Sequence, residues 1–204
     1  MLAAERLTET ATQILPEDLL RAHQYRLLAR FLAAPADAAL LRLAASFSGD
    51  DTELGQALHT LARIAAQTTP RAATAEYHDL FVGLGRGELV PYASYYLTGF
   101  LNEKPLANLR GDMARLGMAR ADKVKEPEDH IAALCDMMAG LITGAFDEPS
   151  DIPAQRAFFD AHLAPWGGRF FEDLEGAKAA MLYTPIGTLG RVFMGIETTA
   201  FEMG

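Results

Sequence analysis

Only one cysteine, Cys135, occurs in the 204 residues, so no disulfide can form within the chain. Valine and isoleucine are scarce, at 4 and 7 residues, against 36 alanines and 28 leucines. A chain so poor in β-branched residues has little from which to build strands. No stretch alternates apolar and polar residues for long enough to read as one. Nor does any apolar run reach the roughly 18 residues that a membrane-spanning helix requires. The opening residues, Met1 to Arg6, carry no basic region followed by an apolar run, so no signal peptide is expected and the cytoplasm is the expected location. A basic stripe is missing too. Lys and Arg total 18 against 27 Asp and Glu, a formal net charge of −9, and the nearest approach to a basic cluster is Lys123 to Lys125. Nucleic acid is therefore not an expected partner, since phosphate binding draws on clustered cations. An acidic surface serves solubility and steers basic partners inward.

What remains is material for helices. Half of the residues are apolar and 22% are charged, the balance of a folded globular chain rather than a disordered one. The length suits a single domain over residues 1–204, built as an all-α bundle of roughly ten helices. Pro16, Glu17 and Asp18 open a helix that runs to about Ala33, where Pro35 stops it. A shorter helix covers Ala36 to Phe47. Asp51 is placed to cap a third, with Leu54, Leu58, Leu61 and Ala65 on one face. Thr68-Thr69-Pro70 opens the next, which carries Glu76, Tyr77, Leu80, Phe81 and Leu84 and breaks at Gly83, Gly85 and Gly87. Helices are expected over Tyr92 to Leu101, Pro105 to Leu116 with Gly117 after its C-terminus, from Glu126 through Ile142, and over Pro153 to Leu163, Pro165 to Ala180 and Pro185 to Phe201. The polar stretch 119–125 reads as a hinge.

Few of the familiar reactive patterns are present. Gly83-x-Gly85-x-Gly87 follows a helix and leads into a proline-bearing loop, whereas a dinucleotide fingerprint follows a strand and opens a helix. Its expected role is an irregular turn. The five histidines, His23, His59, His78, His130 and His162, show no His-x-x-x-His spacing, so no metal site is expected. No Gly-x-Ser-x-Gly elbow occurs, and Cys135 falls by the apolar face of its helix, where a thiol is inert. Asp129-His130 stands out. In the first turn of a helix, Asp129 complements the positive end of the dipole, and the same field makes His130 harder to protonate. As an acid–base pair it lacks a nucleophile or metal partner, so catalysis is not expected.

Two segments resemble the TorD/DmsD/NarJ family of redox enzyme maturation chaperones. The first is Glu76-Tyr77-His78-Asp79-Leu80-Phe81, then nine residues, then Pro91-Tyr92-Ala93-Ser94-Tyr95-Tyr96. It is similar to the family's Glu, three residues, Leu-Phe, a glycine-bearing loop and Pro-x-x-Ser-x-Tyr. The second, Glu126-Pro127-Glu128-Asp129-His130-Ile131, is similar to the family's Glu-Pro-x-Asp-His-hydrophobic element. Arg21 to Phe31 and His162 to Trp166 agree more loosely. One departure is Leu134-Cys135, where many members carry an acidic residue and a leucine.

The resemblance implies a binding protein without cofactor. Its partner would be the apo form of a molybdenum oxidoreductase, held in the cytoplasm, often by a twin-arginine leader, until the cofactor is inserted. An alternative client is a leader-less cytosolic enzyme such as a formate dehydrogenase, bound through its folded subunit. Either a monomer or a dimer swapped about 119–125 fits the family. Carried over by position, Asp129 and His130, with Glu126, Glu128, Tyr95 and Tyr96, belong to the client-peptide site. Glu76, Leu80, Phe81, Pro91, Ser94, Pro127 and Ile131 shape its surroundings. Carboxylates there could pair with the leader's arginines, and an apolar groove could take its hydrophobic stretch. Asp129 and His130 are expected to be at least partly accessible and to line a groove with Tyr95 or Tyr96. For Leu80 and Phe81 the core is the expected place, and Glu76, Ser94 and a tyrosine could share a hydrogen-bond network.

Overall fold

Proline and short polar residues punctuate a chain that is otherwise rich in helix formers. In the computed structural model, which describes residues 14–120 and 126–203, this produces ten α-helices and, among the described residues, no strand. They are α1 (Pro16–Ala33), α2 (Ala38–Ala45), α3 (Glu53–Ala65), α4 (Pro70–Tyr77), α5 (Ala93–Thr98), α6 (Lys104–Arg115), α7 (Ile131–Thr143), α8 (Ile152–His162), α9 (Gly167–Glu175) and α10 (Thr184–Met203). A wider π-turn, His78–Val82, continues α4. Of the expected hinge, residues 121–125 lie outside the described residues.

The boundaries follow local chemistry. Proline occupies the first turn of α1, α4, α6 and α8, where a missing N–H costs nothing. Asp37, Thr69 and Asp151 each accept a backbone N–H at a helix start. Thr52 caps α3, through Gly55 N–H at 3.1 Å; the expectation of Asp51 was one residue early. Gly117 adopts φ 68° just past α6, as a C-terminal glycine should. The helix expected over Pro165 to Ala180 is shorter: α9 stops at Glu175, and residues 176–183 form a loop.

Helix α7 is apolar on nearly every side, with Ile131, Leu134, Cys135, Met138, Leu141 and Ile142 all buried. A helix of that kind belongs in the interior, and α1 lies along it. On the other side α10 packs against α9, α3 and α1. Gly190 lets α9 come close: a β-carbon there would overlap the Phe171 ring. One buried polar knot was not foreseen from the sequence. Glu197, 1% exposed, accepts from Arg21 at 2.8 and 2.9 Å and from the Tyr25 hydroxyl at 3.0 Å. Arg21 also reaches Gln155 at 3.1 Å, so the knot ties α1, α8 and α10.

Candidate functional site

The two segments singled out in the sequence meet in space. Residues 91–94 and 127–131 run antiparallel for a short distance, bridged at Tyr92 and His130. Ile131 N–H donates to the Pro91 carbonyl at 2.9 Å and Ala93 N–H to the Asp129 carbonyl at 3.0 Å. The Asp129 carboxylate then accepts the Ser94 N–H at 2.8 Å. A six-residue helix such as α5 begins with unsatisfied N–H groups, and here a carboxylate 35 residues along the chain satisfies one of them. Asp129 thus caps α5 across space.

This changes the expected picture of the pair. α7 begins at Ile131, so neither residue is in its first turn: His130 is the N-cap and Asp129 precedes it. Neither is partly accessible; Asp129 is 1% exposed and His130 8%. Asp129 Oδ1 and Ser94 Oγ are buried without a partner among the described residues. His130 Nδ1 accepts the Ala132 N–H at 3.1 Å, which leaves Nε2 as the protonated nitrogen of the neutral ring. Burial pushes the imidazole down to about 4, against the opposing pull of Glu126 and Asp129. The expected direction is right, but desolvation rather than a helix dipole causes it.

Beside this junction lies a cleft of about 610 Å³ between α1, the π-turn, the end of α6 and the start of α7. That is within the range of about 300–1,000 Å³ typical of ligand sites. Phe81, Met113, Met118, Met137 and Phe146 give it an apolar lining. Thioethers are polarisable and flexible, so such a surface adapts to different apolar side chains. Glu126 and Asp136 are exposed at this cleft. Glu126 accepts from the Tyr92 hydroxyl. Glu128, by contrast, is 8% exposed and accepts from Arg110 at 2.8 Å, with Arg120 at 3.7 Å. Burial raises its pKa, but the Arg110 bond and both guanidinium charges outweigh that and hold the carboxyl below its usual range. It is therefore already engaged.

Tyr95 and Tyr96 do not share this cleft; Tyr92 does. Tyr96 lies against Trp166 and Phe170 and donates to Asp173 at 3.0 Å, while Arg86 lies 5.0 Å over the Tyr95 ring. Leu80 is fully buried, and Phe81 is half-buried between the core and the cleft. Glu76 forms no network with Ser94. Its carboxylate accepts the N–H groups of Met181 and Tyr183 at 2.7 and 2.9 Å, pinning the loop ahead of α10. Glu88 does the same for Lys178 and Ala179 at 2.8 and 3.0 Å. Nothing in the sequence near Glu88 signals that role, because its partners are backbone groups 90 residues away. Asp136 and the three methionines were likewise not singled out, since a helical stripe alone does not say which side remains open.

Among the described residues no group of His, Cys, Asp and Glu could hold a metal ion, and no helix is long and apolar enough to cross a membrane. Cys135 is buried, and desolvation drives its thiol pKa up. Fold and cleft together define a helical protein with an open, largely apolar binding site whose charged lining combines Arg30 and Arg120 with Glu126, Glu128 and Asp136.

The chain belongs to the nitrate reductase delta subunit family, whose profile matches residues 47–172. It is similar to the chaperone protein TorD of Vibrio cholerae El Tor, 32% identical over 127 residues, 59% of this chain and 58% of that one. The chaperone protein TorD of Aliivibrio fischeri is 33% identical over 107 residues, 48% of this chain and 50% of its own length. The chain thus spans about half to three fifths of the curated relatives it matches. A solved redox enzyme maturation protein from Archaeoglobus fulgidus has the same fold, with a TM-score of 0.60 and 18% identity over 86% of this chain and 94% of that one. These relatives are named for chaperone and maturation roles, not for catalysis.

Proposed function

We propose that the protein is a cytoplasmic chaperone for a molybdenum oxidoreductase, which holds the N-terminal segment of the apo-enzyme in the cleft until the cofactor is loaded. The observation that carries this reading is the cleft itself. It joins an adaptable, methionine-lined floor to two exposed carboxylates, Glu126 and Asp136. A peptide with arginines beside an apolar stretch presents the complementary chemistry: guanidinium forks for the carboxylates and apolar side chains for the floor. Asp129 serves the site by holding its wall, while His130, as expected, is part of the cleft lining. The names of the relatives support a maturation role.

The test is calorimetric titration with a synthetic leader peptide carrying an arginine pair followed by an apolar segment. Micromolar or tighter binding is expected. It should weaken by about ten- to a hundredfold in Glu126→Gln/Asp136→Asn, as for a loss of about 1.5–3 kcal/mol in charge-assisted bonds. Met137→Asp should weaken it as well. Intact binding in both folded variants would place the client elsewhere. Capture of a formate dehydrogenase or another molybdoenzyme subunit from extract, with no leader-peptide binding, would favour recognition of a folded subunit instead.

A further inference from the structure

Met1 apart, the methionines of the chain fall among the described residues, and the fold sorts them into three groups. Met138 and Met194 are sealed in the core. Met181 and Met203 stand 70% and 79% exposed and do not line the cleft. Met113, Met118 and Met137 do line it; the first two are buried and Met137 is half-buried. Met137 and Met138 are neighbours on α7. One turn of helix therefore holds a thioether that meets the open cleft beside one that solvent does not reach.

A thioether, like a thiolate, is oxidised under mild conditions, and accessibility decides which one reacts. The single thiol cannot serve here. Cys135 is fully buried, and burial keeps it protonated, which makes it inert. The oxidation chemistry open at the cleft is that of Met137. A sulfur lone pair attacks one oxygen of hydrogen peroxide, and the S–O bond forms as the O–O bond breaks. The departing hydroxide takes the proton of the transferred hydroxyl and leaves as water. Sulfur loses two electrons and the peroxide gains them. The product is a polar sulfoxide in place of an apolar side chain. Phe81, Phe146, Met113 and Met118, which share the lining, have no side-chain donor to offer it. Water can solvate the sulfoxide while the cleft is empty. An apolar segment laid over it would strip that water away at a cost, so oxidation acts against the occupied cleft more than against the fold.

We infer that Met137 is an oxidation site that controls the cleft: hydrogen peroxide converts it to the sulfoxide, and the cleft then releases its apolar occupant. This rests on the proposed role of the cleft in holding an apolar segment, and adds a means of release. The test treats the full chain with hydrogen peroxide and follows each methionine by peptide mass mapping. Affinity is measured for the arginine-bearing leader peptide and, separately, for the neutral apolar dye Nile red. Met181 and Met203 should oxidise first and without effect. Affinity for both probes should then fall at least tenfold in step with Met137, while Met138 stays reduced. The two methionine sulfoxide reductases, one for each sulfoxide epimer, should restore it in the presence of dithiothreitol. In Met137→Leu the treated and untreated affinities should agree, whatever their starting value, whereas Met181→Leu/Met203→Leu should respond as the parent does. Undiminished affinity with Met137 fully oxidised, an equal loss in Met137→Leu, or a loss matched by falling helical circular dichroism would each overturn the inference. Dye binding without peptide binding in the untreated protein would sink the leader reading alone, and the dye would then decide the role of Met137. An untreated protein that takes neither probe would overturn both.

Discussion

Glu128 and Asp129 are adjacent to the very stretch that supplies Glu126, and Asp136 follows two turns later, yet the fold gives these carboxylates opposite fates. Asp129 and Glu128 are buried and engaged by donors of the protein itself, Ser94 N–H on one oxygen of the first and Arg110 on the second. Glu126 and Asp136 face solvent at the cleft. A carboxylate bound by internal donors organises the structure; one at the rim remains open to a partner. Position in a motif does not separate the two cases. Burial and the donors already present do.

The sharpest break of that division is Asp129→Ala. It would leave the Ser94 N–H at the start of α5 buried without an acceptor, so a loss of about 2–3 kcal/mol is expected. Asp129→Asn keeps an acceptor oxygen and should cost about half as much. Urea unfolding, with mid-point and slope reported separately, measures both. A loss below about 0.5 kcal/mol for the alanine variant would show that the junction is held by its backbone bridge alone, since a buried orphan costs more.

His130 should impose the next largest effect, through pH. Its folded pKa, depressed to about 4 by burial, lies below the ordinary value near 6.5 of an unfolded chain. The unfolded state therefore binds the proton first, and stability falls as pH drops from about 6.5 toward 4. Between pH 7 and pH 5 that amounts to about 2 kcal/mol. His130→Asn can still cap α7 and does not titrate, so its stability should be flatter over this window. Equal slopes for the two proteins would mean that His130 is not held neutral in the fold.

Glu128→Gln should cost less, about 1 kcal/mol. Its carboxylate side is buried, but Arg110 is half exposed at 52%, and water screens the pair. High salt should narrow the gap between variant and parent.

Much of the fold was legible because helices advertise themselves locally. Pro16, Pro70, Pro105 and Pro153 mark helix starts in the chain as in the structure, and the apolar length of α7 is visible by eye. The two motif segments were legible as patterns, and they do meet. Their internal division of labour was not. Whether Asp129 faces out or caps α5 depends on Ser94, 35 residues earlier, and nothing in local spacing fixes that distance. Tyr92 rather than Tyr95 or Tyr96 reaches the cleft because it sits ahead of α5, in the bridge opposite His130, whereas Tyr96 packs on Trp166 and Phe170. The tie of Glu76 to Tyr183 and the Arg21–Glu197 knot are contacts across more than 100 residues, beyond the reach of any helical periodicity.

The smallest expected effect on stability comes from the rim, and it decides the comparison. Glu126→Gln/Asp136→Asn removes two charges that, among the described residues, form no salt bridge. The one hydrogen bond at stake, from the Tyr92 hydroxyl to Glu126, can be accepted by the glutamine oxygen. A change within about 0.5 kcal/mol is therefore expected in urea unfolding, as for ordinary surface substitutions. The same double variant should lose affinity for an arginine-bearing leader peptide and also lose most of its salt dependence, because screening acts only on charges that are there. In the parent, raising ionic strength should weaken binding; in the variant the two curves should converge. Should the double variant instead prove strongly destabilised, the rim carboxylates would be structural like Asp129, and the contrast between filled and open acids would collapse. Should stability and binding both stay unchanged, the contrast would stand, but the client would enter by another face.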